Sequence, residues 1–296
     1  MHPGVNHPYT GHNLVFIVGA PRSGTTWLQR LLATHSQIRT GQESKLFRWY
    51  IGPQLQMWRM ETTRELDPKT ATGRGGTGLS CYFREDEFLS ALKQYLGLLL
   101  QPMIGSLRPG ELFVEKSPSH AMCIPEIKRL LPEARIIHVL RDPRDVVASL
   151  LAASRTWGAA WAPHTPAKAA GLWVEHVRAV KQAAQNLSRK EFHEVKYEQL
   201  RSSPEKALRE VVYYLGLDWK ELEIQKAIEI NLPDSDGGTP IPVYGEVSDR
   251  IGGFVKEPAG FIRKARPGAW KADLSLLEKA QVWRVCRKVM REVGYR

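Results

Sequence analysis

Cysteine is scarce in this chain: Cys81, Cys123 and Cys286 are the three among 296 residues. They lie far apart and are odd in number, which excludes a disulfide framework and a C-x-x-C metal pattern. A reducing, cytoplasmic setting is the expectation, with each thiol a small buried or half-buried side chain. Long apolar runs are missing too. Stretches such as Leu96 to Leu100 are far too short to cross a bilayer, so no membrane span is expected. No apolar secretory segment follows Met1; residues 1–13 are polar and read as a flexible N-terminus. Their His2, His7 and His12 have no nearby cysteine or acidic partner, and read as solvated rather than metal-bound. Internal repeats and low-complexity tracts are absent.

What the chain has is a basic balance and enough apolar residues for a core. Net charge is +11 and 43% of residues are hydrophobic. That supports one large α/β domain, taken as residues 14–296. The charge suits an anionic small molecule, a nucleic acid or an anionic polymer. The cations are spread along the chain rather than interleaved with aromatics on one stretch, which argues against nucleic acid.

Apolar runs and helical periodicity alternate. Strands are expected at Leu14–Val18, Leu112–Val114, Ile136–Leu140 and Glu194–Tyr197. Helices are expected at Pro125–Leu131, from Val146, at Glu175–Asn186 and at Pro204–Leu215. Such alternation predicts a mainly parallel sheet flanked by helices, with ligands at the carboxyl ends of the strands. Thr72–Ser80, Ala152–Ala169 and Leu232–Gly260 read as loops or lids beside that site.

The most informative stretch is Leu14 to Ser36. A buried-strand signal runs into Gly19-Ala20-Pro21-Arg22-Ser23-Gly24-Thr25-Thr26, and Trp27, Leu28, Leu31 and Leu32 then recur at helical spacing. A strand, a small-residue turn and a helix start form an anion cradle. Arg22 adds a planar donor fork, and Ser23, Thr25 and Thr26 add hydroxyls. Gly19 and Gly24 have the spacing of a Walker A loop, but Thr25 stands where its lysine belongs. A second strand-to-helix turn, Arg141-Asp142-Pro143-Arg144-Asp145, carries Ser149 about two helical turns on.

These features resemble sulfotransferases that use 3′-phosphoadenylyl sulfate (PAPS) and release adenosine 3′,5′-bisphosphate (PAP). The resemblance implies a P-loop-like architecture. It assigns Arg22, Ser23, Gly24, Thr25, Thr26 and Trp27 to the 5′-phosphosulfate loop, and Arg141 with Ser149 to the 3′-phosphate. Lys196-Tyr197-Glu198-Gln199-Leu200 resembles the segment that sets a tyrosine, here Tyr197, near the adenine. Arg266-Pro267-Gly268-Ala269-Trp270-Lys271 resembles the family's late lid, with Arg266, Gly268, Trp270 and Lys271 as nucleotide contacts. Glu115-Lys116-Ser117-Pro118 resembles the strand end near the transferred group.

The implied reaction moves a sulfuryl group to an acceptor hydroxyl and calls for no metal. Arg22 and Lys116 would stabilise developing charge. Residues 38–45 resemble the tyrosylprotein sulfotransferase stretch that supplies the base, which points to Glu43; His120 is the alternative base, and His138 reads as core. A small molecule, lipid or natural product is the expected acceptor, a tyrosyl peptide or saccharide the second choice, with a homodimer left open. Rivals from other classes are a nucleotide or metabolite kinase and a basic nucleic-acid-binding protein.

Overall fold

The computed structural model describes residues 9–63, 78–231, 241–242, 254–255, 261 and 266–296. Five strands alternate with helices: β1 (Leu14–Val18), α1 (Thr25–Ala33), β2 (Ile38–Thr40), α2 (Gly52–Thr63), α3 (Glu85–Ile104), β3 (Leu112–Lys116), α4 (Ile124–Leu130), β4 (Arg135–Leu140), α5 (Pro143–Ser154), α6 (Pro166–Ala184) and β5 (Phe192–Lys196). Then follow α7 (Tyr197–Ser202), α8 (Pro204–Leu215), α9 (Glu221–Ile230), the short strands β6 (Ile241–Pro242) and β7 (Phe254–Val255), α10 (Trp270–Asp273) and α11 (Leu276–Glu292). β6 and β7 pair antiparallel, apart from the main sheet.

The main sheet has the order β2-β3-β1-β4-β5, and every neighbouring pair is parallel. A parallel sheet covered on both faces needs strands that are apolar throughout. β1 meets this with five fully buried residues. Side chains alternate across the sheet. Leu14, Phe16 and Val18 pack with Leu92, Leu96 and Leu100 of α3 and Ile124 and Ile127 of α4. Val15 and Ile17 pack with Leu28, Leu31 and Leu32 of α1 and Leu208 and Val211 of α8. A third cluster joins α5, α6 and α11 around the fully buried Trp173.

The expected strands β1, β3, β4 and β5 are present, with shifts of one or two residues at some ends, and α8 has the expected bounds. Ala152–Ala169 is not a loop throughout. α5 runs on to Ser154, and α6 already starts at Pro166, where Thr165 accepts from the Lys168 amide and proline occupies the first turn. Of Thr72–Ser80, only residues 78–80 are described, at the start of a short turn. Nearly all of Leu232–Gly260, and residues 1–8 of the expected flexible terminus, lie outside the described residues. Residues 9–13 are tied down: Thr10 O accepts from Glu133 N at 2.9 Å, and Asn13 O accepts from Phe113 N at 2.9 Å. Among the described residues no helix is long and apolar enough to cross a membrane. Cys81 is exposed and Cys123 and Cys286 are buried, none of them in a disulfide.

Candidate active site

Parallel strands all end on one edge, and the turns that leave them meet there. A cleft of about 460 Å³ opens at that edge. Each of the five strand ends gives it a wall: Arg22 follows β1, Glu43 follows β2, Ser119 follows β3, Arg141 follows β4 and Tyr197 follows β5. Of the residues singled out in the sequence, Gly24, Thr25, Thr26, Trp27, Ser149 and Arg266 line it as well.

The β1–α1 turn is shaped by backbone geometry. Gly24 has φ 96°, and a Cβ there would collide with the Tyr197 ring, so glycine is needed for both conformation and closeness. Arg22 has φ 73°, a left-handed conformation that costs a non-glycine residue on the order of 1 kcal/mol or more. The turn is held by neighbours: Arg141 Nη1 donates to the Arg22 carbonyl at 3.0 Å, and Arg22 Nε donates to Ser149 Oγ at 3.0 Å. Arg22 also donates to the Phe261 carbonyl and lies over the Phe261 and Trp157 rings, 4.4 and 5.2 Å from their centroids. Among the described residues no side chain caps the N-terminus of α1, which leaves its N–H groups and partial positive charge facing the cleft.

The expected Arg141–Ser149 pair is therefore linked through Arg22. Arg141 is buried, stacks 4.1 Å from the Tyr197 ring centroid, and its carbonyl accepts from Trp173 Nε1 at 3.0 Å. Its Nε is buried and has no hydrogen-bond partner among the described residues, as is true of Ser23 Oγ. A buried donor without an acceptor is costly unless a ligand supplies one. Burial raises the Tyr197 phenol above its ordinary value, with the nearby Arg141 and Arg201 charges acting against the shift. Trp27 meets Tyr197 edge-on at 5.9 Å and donates from Nε1 to the Asn231 carbonyl at 2.8 Å.

The opposite wall is set by the pairing of β2 with β3. Thr40 lies beside Val114, so the chain leaving β2 passes the end of β3. There Lys116 Nζ meets Glu43 Oε1 at 2.5 Å, with the lysine 5% and the glutamate 36% exposed. Glu43 faces the cleft and Lys116 stands behind it. Neither Lys45 nor Arg39 takes Glu43 as partner: Lys45 lies 4.3 Å from the Trp49 ring centroid, and Arg39 pairs with Glu111.

His120 is not placed to act as a base. It is fully buried, its Nε2 accepts the Phe47 amide at 3.1 Å, and its Nδ1 lies 2.8 Å from Glu115 Oε2. It stands behind the cleft wall and anchors it. Glu115 accepts from Ser44 N, Ser44 Oγ and Ser117 Oγ at 3.0, 2.7 and 2.7 Å, and Ser117 Oγ in turn accepts from Lys45 N at 3.0 Å. Burial opposes ionisation of Glu115, but His120 and the two serine hydroxyls outweigh it and hold its carboxyl at about 2. His138 is fully buried in β4, as expected, with Nδ1 2.9 Å from Glu194 Oε2.

The late lid divides. Arg266 and Ala269 reach the cleft. Trp270 and Lys271 do not line it: the Trp270 ring lies 4.2 Å from the Arg144 guanidinium, and the exposed Lys271 offers its carbonyl to Lys279 Nζ at 2.7 Å. Gly268 donates its amide to Asp145 Oδ2 at 2.7 Å. Sequence reasoning gave Asp145 no role beyond the start of α5. Its partners lie more than a hundred residues away, and no local pattern marks them.

A sulfotransferase family model matches residues 14–221. The chain belongs to the sulfotransferase family. Relatives of this chain include protein-tyrosine sulfotransferase 2 of Gallus gallus, 23% identical over 80% of this chain and 59% of that protein. The protein-tyrosine sulfotransferase of Drosophila melanogaster is 22% identical over 80% of this chain and 44% of its own. The chain thus spans about half the length of these relatives. Among solved structures, the sulfotransferase domain of the curacin biosynthetic pathway superposes with TM-score 0.59 at 18% identity, over 95% of this chain and 97% of its own. Mouse sulfotransferase SULT7A1, complexed with PAP, superposes with TM-score 0.59 at 15% identity, over 97% and 88%. At these identities the likeness establishes the fold: a P-loop-like parallel sheet flanked by helices.

Proposed function

We propose that this sulfotransferase transfers a sulfuryl group from PAPS to a hydroxyl of its acceptor. One observation carries the proposal: Arg22 and Arg141, fixed to each other, flank an uncapped helix N-terminus in one cleft. The unpartnered buried Arg141 Nε supports an anionic group there. PAPS would supply the reactive sulfuryl group and carry the bridging-oxygen charge away as PAP. The Arg22 fork and the α1 amides would hold the phosphosulfate end, and Arg141 with Arg266 the phosphorylated ribose. Glu43 Oε would take the acceptor hydroxyl proton. Lys116, ion-paired behind Glu43, would orient it and add positive charge toward the leaving oxygen.

The walls favour a small, partly aromatic or apolar acceptor, because Trp157, Trp161 and Phe261 stand beside Arg22. A tyrosyl peptide is the second reading, favoured by the protein-tyrosine sulfotransferase relatives. Calorimetry against PAP, ATP and an oligonucleotide tests the donor. PAP should bind alone of the three, and the folded Arg22→Ala variant should lose most of that affinity and its turnover, a charge-assisted contact being worth roughly 1.5–3 kcal/mol. Tight ATP binding without PAP binding would move the chain to the kinases. A panel of phenols, alcohols, saccharides and tyrosyl peptides then assigns the acceptor.

A further inference from the structure

The geometry points to Asp145 as a latch that holds the late lid over the nucleotide end of the cleft and sets how long the nucleotide stays. Asp145 is 2% exposed and sits in the first turn of α5, four residues after Arg141. Its two oxygens accept two backbone amides of the lid, Gly268 N on Oδ2 at 2.7 Å and Trp270 N on Oδ1 at 3.0 Å. Between those amides lies Ala269, and two residues before them Arg266; these two reach the cleft. One carboxylate thus clamps the segment whose neighbours would cover the ligand.

The clamp has a second contact that uses no Asp145 atom. Asp142 grips Arg144 through Nε at 2.9 Å and Nη2 at 2.6 Å, and the fixed guanidinium lies 4.2 Å from the Trp270 ring centroid. This is a cation–π contact. The α5 turn that follows Arg141 therefore docks the lid twice, by hydrogen bonds and by a ring. A surface ion pair at a helix start needs neither burial nor two distant amides. Gly268 completes the device: its φ of 80° is left-handed, and a Cβ there would meet open space, so the conformation, not crowding, calls for glycine.

Asp145 touches no reacting atom in this assignment; it is a positioning residue. Its role rests on the PAPS reading, and its effect is on nucleotide residence rather than on the chemical step. The test is PAP dissociation by stopped flow, PAPS KM, and single-turnover rate at saturating PAPS. Asp145→Asn keeps the shape but turns one acceptor into a donor that faces an amide donor. It should speed PAP release and raise the PAPS KM together by about 10–100-fold, the usual effect of orphaning a buried hydrogen-bonding group. The single-turnover rate at saturating PAPS should change less than about 3-fold. Gly268→Ala, which strains the lid and leaves Asp145 intact, should shift the same two quantities in the same direction. If both variants release PAP at the wild-type rate, or if the single-turnover rate falls as far as affinity does, the latch is overturned. If wild-type protein does not bind PAP, the donor reading falls and takes the latch with it; normal wild-type binding with unaltered variants removes the latch alone.

Discussion

The two walls of the cleft are each organised by one buried carboxylate, and they are organised differently. On the β2–β3 side, Glu115 accepts from the Ser44 amide and from the hydroxyls of Ser44 and Ser117, and touches His120, all within two segments already joined by β2–β3 pairing. On the α5 side, Asp145 binds two backbone amides of a segment that belongs to no strand of the main sheet. The first wall is fixed by the sheet and tuned by side chains. The second is a segment outside the sheet, docked on the α5 turn by Asp145 and by the Arg144–Trp270 contact. Under the proposed function this is a division of labour: proton transfer needs a base held within a fraction of an ångström, whereas nucleotide exchange needs a cover that can let go.

The largest effect should come from the fixed wall. Glu43→Gln keeps the shape and removes the basicity, so kcat should fall about 10²–10⁴-fold, the usual loss when a positioned base is removed. PAP affinity should stay nearly constant by calorimetry. Lys116→Ala should lower kcat too and weaken PAPS binding somewhat. A near-normal single-turnover rate in folded Glu43→Gln would sink the assignment of the base.

The next effect belongs to the other wall and concerns donor choice. Arg141 is held against Arg22 and Tyr197, with its Nε unpartnered among the described residues. If it grips the 3′-phosphate, adenosine 5′-phosphosulfate should bind far more weakly than PAPS, by about 2–5 kcal/mol, the cost of leaving a buried charged donor unpaired. Arg141→Ala should narrow that gap by weakening PAPS alone. Equal binding of both donors to wild-type protein would remove the 3′-phosphate role from Arg141.

A smaller, two-part effect separates Glu115 from Glu43. Glu115→Gln should lower kcat about 10–100-fold by loosening the loop that carries Glu43, with PAPS KM unchanged. It should also cost stability in a pH-dependent way. The folded-state carboxyl is held at about 2 against an ordinary 4.5. A depressed carboxyl contributes stability above the unfolded value, and that contribution is lost as pH falls through the folded one. The stability gap between wild type and Glu115→Gln, from denaturant melts, should therefore be full above pH 5 and shrink between 4.5 and 2. A gap that does not vary with pH would mean that Glu115 acts by packing alone.

The same contrast between walls decides how much was legible in the sequence. Local patterns carried the β1–α1 turn, the Arg141 turn and the strand ends, because glycine, apolar runs and helix periodicity are short-range signals. Glu43 and Lys116 came from the family resemblance of residues 38–45 and 115–118, and the structure brings them together because both leave neighbouring strands at their carboxyl ends. Two kinds of feature stayed hidden. Helix α2 begins from a π-helical turn at Phe47–Ile51 and buries only Leu55 and Trp58, so its apolar stripe is too thin to read. Long-range acceptors gave no signal: Asp145 finds its amides 123 and 125 residues away. His120 misled for a related reason. A histidine after a strand end looks like a base until its Nε2 is seen to accept the Phe47 amide.

The smallest expected effect is a control on the fixed wall. Arg39 of β2 pairs with Glu111 at 2.5 Å, with the arginine 24% and the glutamate 8% exposed. Glu111 also accepts the Arg108 amide at 3.0 Å, so it keeps a partner if Arg39 is removed. Partly exposed pairs contribute about 0.2–1 kcal/mol, and loss of this pair in Arg39→Ala should lower stability by an amount of that order. Arg39 precedes Glu43 by four residues, yet its ion pair lies outside the cleft lining. If the Glu43 loop is fixed by Glu115, Ser117 and His120 rather than by the edge of β2, kcat and PAPS KM of Arg39→Ala should match wild type. A fall in kcat comparable to that of Glu115→Gln would show that the whole β2 edge, and not the buried carboxylate, sets the position of Glu43.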